Sequence, residues 1–383
     1  MANIGTEASD FFQSDASLRT QRLRDLKRSN TLGDPVTLSS KILHMVPFAS
    51  PLIAADQQQM PLLLVGDAGQ TARIVDATSG KTVAAFRGHT GPVTSAVYYY
   101  DAAAEDTIIF TGSWDKTIKK WSYKSRECLA TYALHSDFVK SLVLSPNRRY
   151  LISGSSDKSI RVIDLATPAP SSRVLLGHVR GIESLAVTGD SAHLWSAGSE
   201  GSVRKWDLAT GTQLLALDEQ SGTPGAHATS VYSIFLEDDE TMWTASADKF
   251  AKRWTVAHNA PPRCESTFEH DDYVKCVVPV GGALVVTGGR DEVLSIWDMA
   301  SEKLLKKVDG HFDEISVVCV YGNTLYSGSL DGTIRSWKVS DLVNPSVQFR
   351  LEIDLEEENV QQQATSALTA EEEAELAELM GDD

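Results

Sequence analysis

Residues 88–121 read GHTGPVTSAVYYYDAAAEDTIIFTGSWDKTIKKW. Short runs rich in β-branched and aromatic side chains alternate here with polar, turn-forming residues, which is the pattern of β-strands joined by tight turns. Asp115 lies in one of these turns, where its carboxylate can accept hydrogen bonds from the following backbone. The predicted strands are residues 93–100, 108–111, 117–121 and 128–132. The stretch therefore predicts a small sheet of four strands.

The same spacing recurs along the chain. His89 leads to Asp115 and then to Trp121, five later stretches repeat this order with few exceptions, and a weaker copy begins at His44. The tryptophan-equivalent positions, which are 40 to 48 residues apart, are 75, 121, 163, 206, 254, 297 and 337. Four strands repeating at such a period are the sequence pattern of a propeller blade. The seven copies predict an all-β chain, a seven-bladed β-propeller of four-stranded antiparallel blades.

A ring of blades must join its two ends, because free sheet edges invite aggregation. Residues 36–43 stand before the first copy, where the outermost strand of a preceding blade belongs. We therefore expect them to complete the last blade beside residues 333–339. Residues 346–355 also alternate apolar and polar side chains and compete for that place. The sequence leaves both candidates open.

Composition limits the classes of function. Apolar residues make up 42% of the chain and its formal net charge is −17, which suits a folded domain and disfavours nucleic acid as a direct partner. Apolar runs are far shorter than the ~20 residues that a membrane-spanning helix needs. The cysteines lie far apart, which argues against disulfides or a thiolate metal site. We expect an intracellular protein of the cytoplasm, the nucleus or both, without metal, cofactor or membrane span.

Charge and repeats divide the chain into three regions. Residues 1–35 form a polar, basic arm that could contain a short helix, and residues 36–355 form the propeller. Residues 356–383 form an acidic tail, either disordered or a short helix. Twelve acidic residues and no basic residue lie in 351–383. The tail could bind a basic partner and the arm an acidic one, or each could be solvated.

The arm carries one further pattern. Arg28 precedes Ser29 and Thr31 in the run Arg-Ser-Asn-Thr. This run fits a basophilic kinase site, although such short patterns match many unmodified sequences. Whether Ser29 or Thr31 is phosphorylated stays open.

Two dipeptides carry a resemblance to the WD-repeat family, a Gly-His pair that opens a repeat and a Trp-Asp pair late in it. They occur at Gly88-His89, Gly177-His178, Gly310-His311, Trp206-Asp207 and Trp297-Asp298. The resemblance covers roughly residues 36–340. It implies the propeller fold and says little about function, because such folds serve many processes.

The resemblance implies a structural role for the repeated serine, histidine and aspartate. In the WD-repeat family the matching residues form a buried hydrogen-bond network that ends on the tryptophan indole. A hydrolase would use one such set as a catalytic triad, but an active site is built once and this set recurs, so we expect no catalytic residue. The expected network residues are His89, Ser113, Asp115, Trp121, His227, Ser246, Asp248, Trp254, His311, Ser329, Asp331 and Trp337.

Some copies depart from the pattern. Blade 3 has Ile163 in place of tryptophan, blade 4 has Gly198 and Glu200 in place of serine and aspartate, and blade 6 has Gly289 in place of serine. Blade 1 has Val75 in place of tryptophan. We expect blade 1 to have the weakest network and blades 2, 5 and 7 the most regular ones.

Partners of the WD-repeat family most often bind around the central channel. The resemblance implies three positions per blade on that face: three and five residues after the histidine, and the residue before the turn acid. Aromatic side chains beside cations there would suit a protein hot spot, or they would merely shield the channel rim. The predicted partner-binding residues are Trp114, Phe138, Lys140, Tyr232, Tyr273, Lys275 and Arg290.

We therefore predict a non-enzymatic adaptor or scaffold, a monomeric propeller that binds one or more proteins in a multiprotein complex. A ribosome or ribonucleoprotein assembly factor is an alternative, because an acidic tail could shield basic ribosomal proteins. A substrate receptor of a ubiquitin ligase is a second alternative, weakened because Ala209 and Ala300 stand where arginine is expected after Trp-Asp. A hydrolase that uses one Ser/His/Asp set is the least favoured.

Overall fold

The computed structural model describes residues 25–53, 60–167, 172–218, 221–256 and 262–350. The strands in these ranges form seven antiparallel sheets of four strands each, which confirms the predicted seven-bladed propeller. In blades 1 to 6 the four strands are consecutive in the chain. The seventh blade combines three strands from the end of the propeller with one from its beginning.

The first three blades use strands β2 to β13. Blade 1 contains β2 (Ile42–Pro47), β3 (Leu62–Asp67), β4 (Thr71–Asp76) and β5 (Thr82–Arg87). Blade 2 contains β6 (Val93–Asp101), β7 (Asp106–Ser113), β8 (Ile118–Ser122) and β9 (Cys128–Tyr132). Blade 3 contains β10 (Val139–Leu144), β11 (Tyr150–Ser155), β12 (Ile160–Asp164) and β13 (Ser172–Leu175).

The remaining blades use β14 to β28 and β1. Blade 4 contains β14 (Ile182–Val187), β15 (His193–Gly198), β16 (Val203–Asp207) and β17 (Gln213–Leu217). Blade 5 contains β18 (Val231–Leu236), β19 (Thr241–Ser246), β20 (Phe250–Thr255) and β21 (Arg263–Glu269). Blade 6 contains β22 (Val274–Val280), β23 (Leu284–Gly289), β24 (Leu294–Asp298) and β25 (Leu304–Val308). Blade 7 contains β26 (Ile315–Tyr321), β27 (Thr324–Ser329), β28 (Thr333–Lys338) and β1 (Val36–Thr37).

Burial along the strands follows their place in the ring. Every residue of β7 is buried, whereas most residues of the outermost strand β9 are exposed. The second strand of a blade is covered on both faces by neighbouring blades, so both of its faces are apolar or hydrogen-bonded. Trp195 of β15 packs against Met242 and Trp254 of the next blade. The core therefore lies between blades.

The ring closes through β1. Val36 pairs with Ile334 and Thr37 with Thr333 in antiparallel register. The strand is only two residues long, shorter than the predicted 36–43. Residues 346–350, part of the competing candidate, are not in a strand, and residues 351–355 lie outside the described ranges.

The segment before β1 reinforces this closure. Residues 25–29 form a helical turn, and Asn30 Nδ2 donates to the carbonyl of Gly310 at 2.8 Å. Arg335 Nη1, on a side chain that is almost fully buried, donates to Asn30 Oδ1 at 2.8 Å. Gly33 packs so closely on Trp337 that a β-carbon would lie 2.7 Å from its ring. Residues 25–35 thus contact blade 7 directly. The predicted short helix of the arm 1–35 is described only at residues 25–29, because residues 1–24 lie outside the described ranges.

The segment after β28 packs on the same blade. A short helix, Val339–Val343, follows β28. The Phe349 ring then meets the Trp337 ring edge-on at 5.4 Å, and the carbonyl of Phe349 accepts a hydrogen bond from Asp309 at 2.8 Å. Among the described residues, no helix has the length and apolar character that crossing a membrane requires. The predicted acidic tail lies outside these ranges.

Candidate functional site

Each regular blade contains a chain of side-chain hydrogen bonds that links the loop before its first strand to the turn between its second and third strands. We call this end of the blade its upper corner. In blade 2, His89 Nδ1 lies 2.7 Å from Asp115 and His89 Nε2 lies 2.7 Å from the Thr111 hydroxyl. The Trp121 indole N–H donates to the same hydroxyl at 2.8 Å. Blades 5 and 7 repeat this chain with Thr244 and Ser327 as the hydroxyl residues.

The donors and acceptors of this chain can be assigned in only one order. The indole donates to the threonine, the threonine donates to histidine Nε2, and histidine Nδ1–H donates to the aspartate. Burial lowers the pKa of His89 below 6.5, which keeps this imidazole neutral at physiological pH. Burial alone would raise the pKa of Asp115, but hydrogen bonds from Thr117 and His89 hold it below 3.8.

The serine that we assigned to this chain is the wrong hydroxyl. Ser113 donates instead to the carbonyl of Gly91 at 2.9 Å and accepts the backbone N–H of Asp115 at 3.1 Å. Ser246 and Ser329 make the same pair of bonds in blades 5 and 7. The reason is the two-residue period of a strand. Thr111 and Ser113 point to the same face of β7, but only Thr111 lies within reach of the indole.

The chain is complete in one blade that we expected to be irregular. In blade 4, His178 Nδ1 lies 2.5 Å from Glu200, and both His178 Nε2 and the Trp206 indole bond Ser196 at 2.7 and 2.8 Å. Hydrogen bonds to Glu200 from His178 and Ser202 outweigh its burial and lower its pKa to about 2. The longer glutamate therefore substitutes for aspartate even though Gly198 replaces the corner serine.

Blade 3 keeps only part of the chain. In blade 3, His135 bonds Asp157 and Ser153 at 2.9 and 2.8 Å, and no indole follows because the tryptophan is replaced by Ile163. Our assignment of His44 as the histidine that opens the first copy was wrong, because His44 lies within the innermost strand β2 of blade 1. His44 Nε2 contacts the carbonyl of Ala96 at 3.0 Å. Burial lowers the pKa of His44 to about 4, so the imidazole stays neutral and donates from Nε2.

These chains are closed to a substrate. The His89, His227 and His311 side chains are at most 1% exposed. The described ranges contain no group of three histidine, cysteine or carboxylate side chains that could hold a metal ion. The geometry of these sets is that of buried structural bonds rather than of an open triad.

The channel rim is built by a bulge in the innermost strand of every blade. The register slips by one residue between Val93 and Ser95 in β6, and equivalent slips occur in β2, β10, β14, β18, β22 and β26. A bulge turns its extra residue out of the regular alternation. The extra residue is the one five positions after the histidine, which is where we placed Lys140, Tyr232 and Lys275.

A repeated backbone bond brings the other two predicted positions of each blade together. The N–H of the residue before the turn acid donates to the carbonyl of the residue three positions after the histidine. These bonds join Trp114 to Pro92, Ser156 to Phe138, Ser199 to Gly181, Ala247 to Ser230, Arg290 to Tyr273 and Leu330 to Glu314. The three positions therefore form one corner on each blade, on the side of the ring where the hydrogen-bond chains also lie.

On blades 2 and 3 the rim carries a pair of stacked aromatic side chains. The rings of Trp114 and Phe138 lie 5.1 Å apart with an interplanar angle of 20°. They remain 42% and 38% exposed. Lys140, which we expected beside them, instead forms an ion pair with Glu183 of blade 4. Glu183, which stands five residues after His178 and so at a predicted rim position, also accepts a hydrogen bond from Ser199 at 2.6 Å.

On blades 5 and 6 the rim carries two cation–aromatic pairs. Lys275 Nζ lies 3.9 Å from the centre of the Tyr232 ring, and the Arg290 guanidinium lies 5.5 Å from that of Tyr273. Burial and the carboxylates of Glu183 and Glu314 raise the pKa of Tyr232 above 10. The four predicted residues on these blades thus lie together.

Blade 1 contributes to the rim although its sequence gave no candidate. The backbone bond that marks the corner joins Ala68 to Lys41, and the bulge falls at Leu43. Lys41 Nζ pairs with Asp313 of blade 7 at 3.1 Å. The weak repeat around His44 hid these positions, and the spacing of the neighbouring copies was the available signal.

Comparisons with known proteins agree with this architecture. The family model described as WD40, the WD domain or G-beta repeat, matches residues 80–122, 126–164, 262–298 and 302–338. An uncharacterized WD repeat-containing protein of Schizosaccharomyces pombe is 33% identical over 383 residues, which cover 98% of each chain.

Two named relatives are similar over shorter spans. The serine-threonine kinase receptor-associated protein of Gallus gallus is 29% identical over 299 residues, 77% of each chain. The ribosome biogenesis protein ytm1 of Pyrenophora tritici-repentis is 32% identical over 183 residues, 46% of this chain and 37% of that one. The chain forms seven four-stranded blades, four of them with the repeat's complete hydrogen-bond chain, and a relative matches it along nearly its whole length. We conclude that this chain belongs to the WD-repeat family.

Proposed function

We propose that this chain is a non-enzymatic adaptor that holds one or more proteins on its channel rim. In this proposal the propeller acts as a monomer inside a larger complex, in the cytoplasm, the nucleus or both. The residues that would contact the partner are Trp114, Phe138, Lys140, Tyr232, Tyr273, Lys275 and Arg290.

The observation that carries this proposal is the Trp114–Phe138 stack. Two large aromatic side chains, each about two-fifths exposed, are fixed against one another at 5.1 Å. Their rigidity lowers the entropy that a partner's binding would cost. Exposed aromatic anchors of this kind dominate the binding energy of protein interfaces.

The cations across the rim support the same reading. Lys275 and Arg290 are each held over an aromatic ring, so their charges are oriented before a partner arrives. Arg290 lies 3.9 Å from Asp272 with both side chains well exposed, and such an ion pair contributes little. A carboxylate or phosphate of the partner would therefore meet two available cations.

The absence of an enzymatic role is part of this proposal. The Ser/His/Asp sets that invite a hydrolase reading have buried histidines, and their side chains hydrogen-bond within the corner of their own blade. An esterase or peptidase assay of the purified protein, with a Ser113→Ala variant beside it, tests this part. Turnover that this variant abolishes would refute the non-enzymatic assignment.

Affinity purification with quantitative mass spectrometry tests the binding site. We expect Trp114→Ala and Tyr273→Ala to lose specific partners that the unmodified protein retains. Leu129→Ala is the matched control, because Leu129 is 51% exposed on the outer strand β9, away from the rim corners. Partners that survive both rim substitutions, or that Leu129→Ala removes equally, would refute the rim assignment.

An assembly factor for ribosomes is a second candidate. It is favoured by the similarity to a ribosome biogenesis protein and by the twelve acidic residues in 351–383. A version that ends at Leu355 should lose basic partners, and the intact protein should release them as salt rises. Basic partners that bind both versions equally at every salt concentration would refute this candidate.

A further inference from the structure

The upper corner of blade 6 lacks the bonds that hold the other corners together. In blade 2 the turn acid Asp115 accepts from His89, from the backbone N–H of Thr90 at 3.0 Å and from the Thr117 hydroxyl at 2.6 Å. Blades 3, 4 and 7 repeat this set around Asp157, Glu200 and Asp331. Blade 5 keeps the bonds from histidine and backbone.

Blade 6 contains the same histidine and aspartate without the bonds. The hydrogen bond described for Asp291 comes from the backbone of Val293 and is long, at 3.4 Å. His270 Nε2 is buried, and no described residue hydrogen-bonds to it. Thr287 still accepts from the Trp297 indole at 3.1 Å, but its own hydroxyl donates to the carbonyl of Ser295 at 3.3 Å.

Three sequence changes explain this loss. Gly289 replaces the serine, Val293 replaces the hydroxyl residue two positions after the acid, and Ser295 replaces the cation found four positions after it in blades 2 to 5 and 7. A β-carbon on Gly289 would lie 1.9 Å from the carbonyl oxygen of Tyr273. The two segments of this corner therefore approach more closely than a serine would allow, and the altered path is built into the backbone.

The same two segments carry half of the proposed rim site. Tyr273 follows His270 by three residues, Arg290 precedes Asp291, and the backbone N–H of Arg290 donates to the carbonyl of Tyr273 at 3.1 Å. Any change in how Asp291 is accommodated moves both residues.

Several charged groups face Asp291. Lys307 of β25 favours its ionised form, whereas Asp271 and Asp272 oppose it. In its own turn, Arg290 lies over Tyr273, and Glu292 pairs with Lys27 at 2.8 Å. Burial raises the pKa of Asp291 to about 6 and lowers that of His270 to about 4. A titration of Asp291 near neutral pH is consistent with its missing partners.

We propose that the Asp291 corner is a proton-dependent switch that sets how firmly Tyr273 and Arg290 are held on the rim. This inference rests on the proposed function, since it regulates the same site. The protonated carboxyl fits a corner that offers almost no donors. The ionised carboxylate must turn toward water or a cation, which loosens residues 270–273 and 289–292.

Hydrogen–deuterium exchange of the full-length protein tests the switch. Peptides that cover 270–275 and 289–294 are compared at about pH 5.5 and about pH 7.5, after correction for the intrinsic exchange rate. We expect about tenfold faster exchange at the higher pH in these peptides. Peptides around His227 and Asp248 in blade 5 should show no such change.

Two variants make the test specific. Asp291→Asn cannot ionise, so its blade 6 peptides should exchange slowly at both pH values. The double variant Val293→Thr/Ser295→Lys restores the hydroxyl that Thr117 offers to Asp115 in blade 2 and the cation that Lys252 places 3.9 Å from Asp248 in blade 5. It should also remove the pH dependence.

Blade 6 peptides that are equally protected at both pH values would overturn the switch, and so would a pH dependence that survives Asp291→Asn. Neither result would touch the rim assignment, because the Trp114→Ala purification tests that assignment at one pH.

Discussion

Two serine-to-alanine substitutions can isolate the contribution of the indole bond to stability. Ser196 and Ser153 occupy the same place in blades 4 and 3, and both are fully buried. Ser196 bonds both His178 and the Trp206 indole, whereas Ser153 bonds only His135. Ser196→Ala therefore leaves two buried polar groups without a partner, and Ser153→Ala leaves one.

The structure sets the size of the difference. An unsatisfied buried group costs about 1–3 kcal/mol, so we expect about 2–5 kcal/mol for Ser196→Ala and about 1–3 kcal/mol for Ser153→Ala. For a chain of this size the larger cost lowers the melting temperature by about 3–6 °C. Urea denaturation measures both, provided that the slope m is unchanged.

A third variant, Ser113→Ala, tests the corrected assignment. Ser113 bonds only backbone groups of its corner, so its loss should cost about 1 kcal/mol and leave the Trp121 indole bonded. Equal costs for Ser196→Ala and Ser153→Ala would refute the two-partner account. If Ser113→Ala lowered the free energy of unfolding as much as Ser196→Ala does, the corner serine and not Thr111 would be the acceptor of the Trp121 indole.

The remaining predictions concern the blade 6 acid, the N-terminal segment and the rim. Folding raises the pKa of Asp291 from 3.8 to about 6, so the stability that this group contributes is full below pH 3.8 and is lost as pH rises through about 6. Asp291→Asn should therefore stabilise the protein at pH 7.5 by about 2–3 kcal/mol. Folding lowers the pKa of Asp248, so the stability that this carboxylate contributes is present above pH 3.8 and is lost in acid. Asp248→Asn should therefore destabilise the protein at pH 7.5. Urea titrations in which Asp291→Asn and Asp248→Asn change the free energy of unfolding in the same direction would contradict this. Asn30→Ala should lower stability by about 1–3 kcal/mol, because it removes one of two acceptors of the buried Arg335 guanidinium and the donor to the Gly310 carbonyl. An unchanged melting temperature would show that Asn30 adds nothing to ring closure. Tyr273→Ala should change stability by less than about 1 kcal/mol while it removes partners, and calorimetry that finds a larger loss would mean that the ring is structural.

The repeat made the fold predictable from sequence. The spacing of His89, Asp115 and Trp121 along the sequence placed them in one repeat unit. The recurrence of this spacing predicted the number of blades and their antiparallel sheets. The strand that closes the ring was predictable only as one of two candidates, because residues 36–43 and 346–355 both have a strand-like pattern. Its length was not, since two residues opposite Thr333 and Ile334 satisfy the edge once residues 25–35 cover the rest.

The hydroxyl of the hydrogen-bond chain could not be chosen from sequence. Thr111 and Ser113 are two residues apart on β7 and offer the same group to the same face. Only the register of β7 against β8, which pairs Thr111 with Lys119, shows which one lies near the Trp121 indole. The segment before β1 was hidden for a different reason, since it lies outside the repeat and its contacts with Arg335 span about 300 positions of chain.

Blade 6 shows how a preserved motif can mislead. It retains His270, Asp291 and Trp297 at the expected spacing, and Gly289 is the one departure that our sequence analysis noted in it. The loss accompanies three changes at residues between the motif positions, Gly289, Val293 and Ser295. Blade 4 keeps its bonds with a glycine at the first position and blade 5 with Phe250 at the second, so only the missing cation at Ser295 is peculiar to blade 6. A comparison of those intermediate columns across the blades would have revealed the change.

A closed ring explains why such a corner can persist. Blade 6 lies between blades 5 and 7, whose hydrogen-bond chains are complete, and Lys27 ties its turn to the N-terminal segment through Glu292. In an open array a weak unit would fray, but in a closed ring each neighbour limits its movement. The proposed rim then has two unlike halves. The fixed Trp114–Phe138 stack binds a partner at little entropic cost, whereas the looser Tyr273–Arg290 half can adapt its shape but loses more conformational entropy when a partner binds. The Trp114–Phe138 stack can therefore contact several different partners. Specificity among these partners then depends on which of them can hold Tyr273 and Arg290 in one conformation.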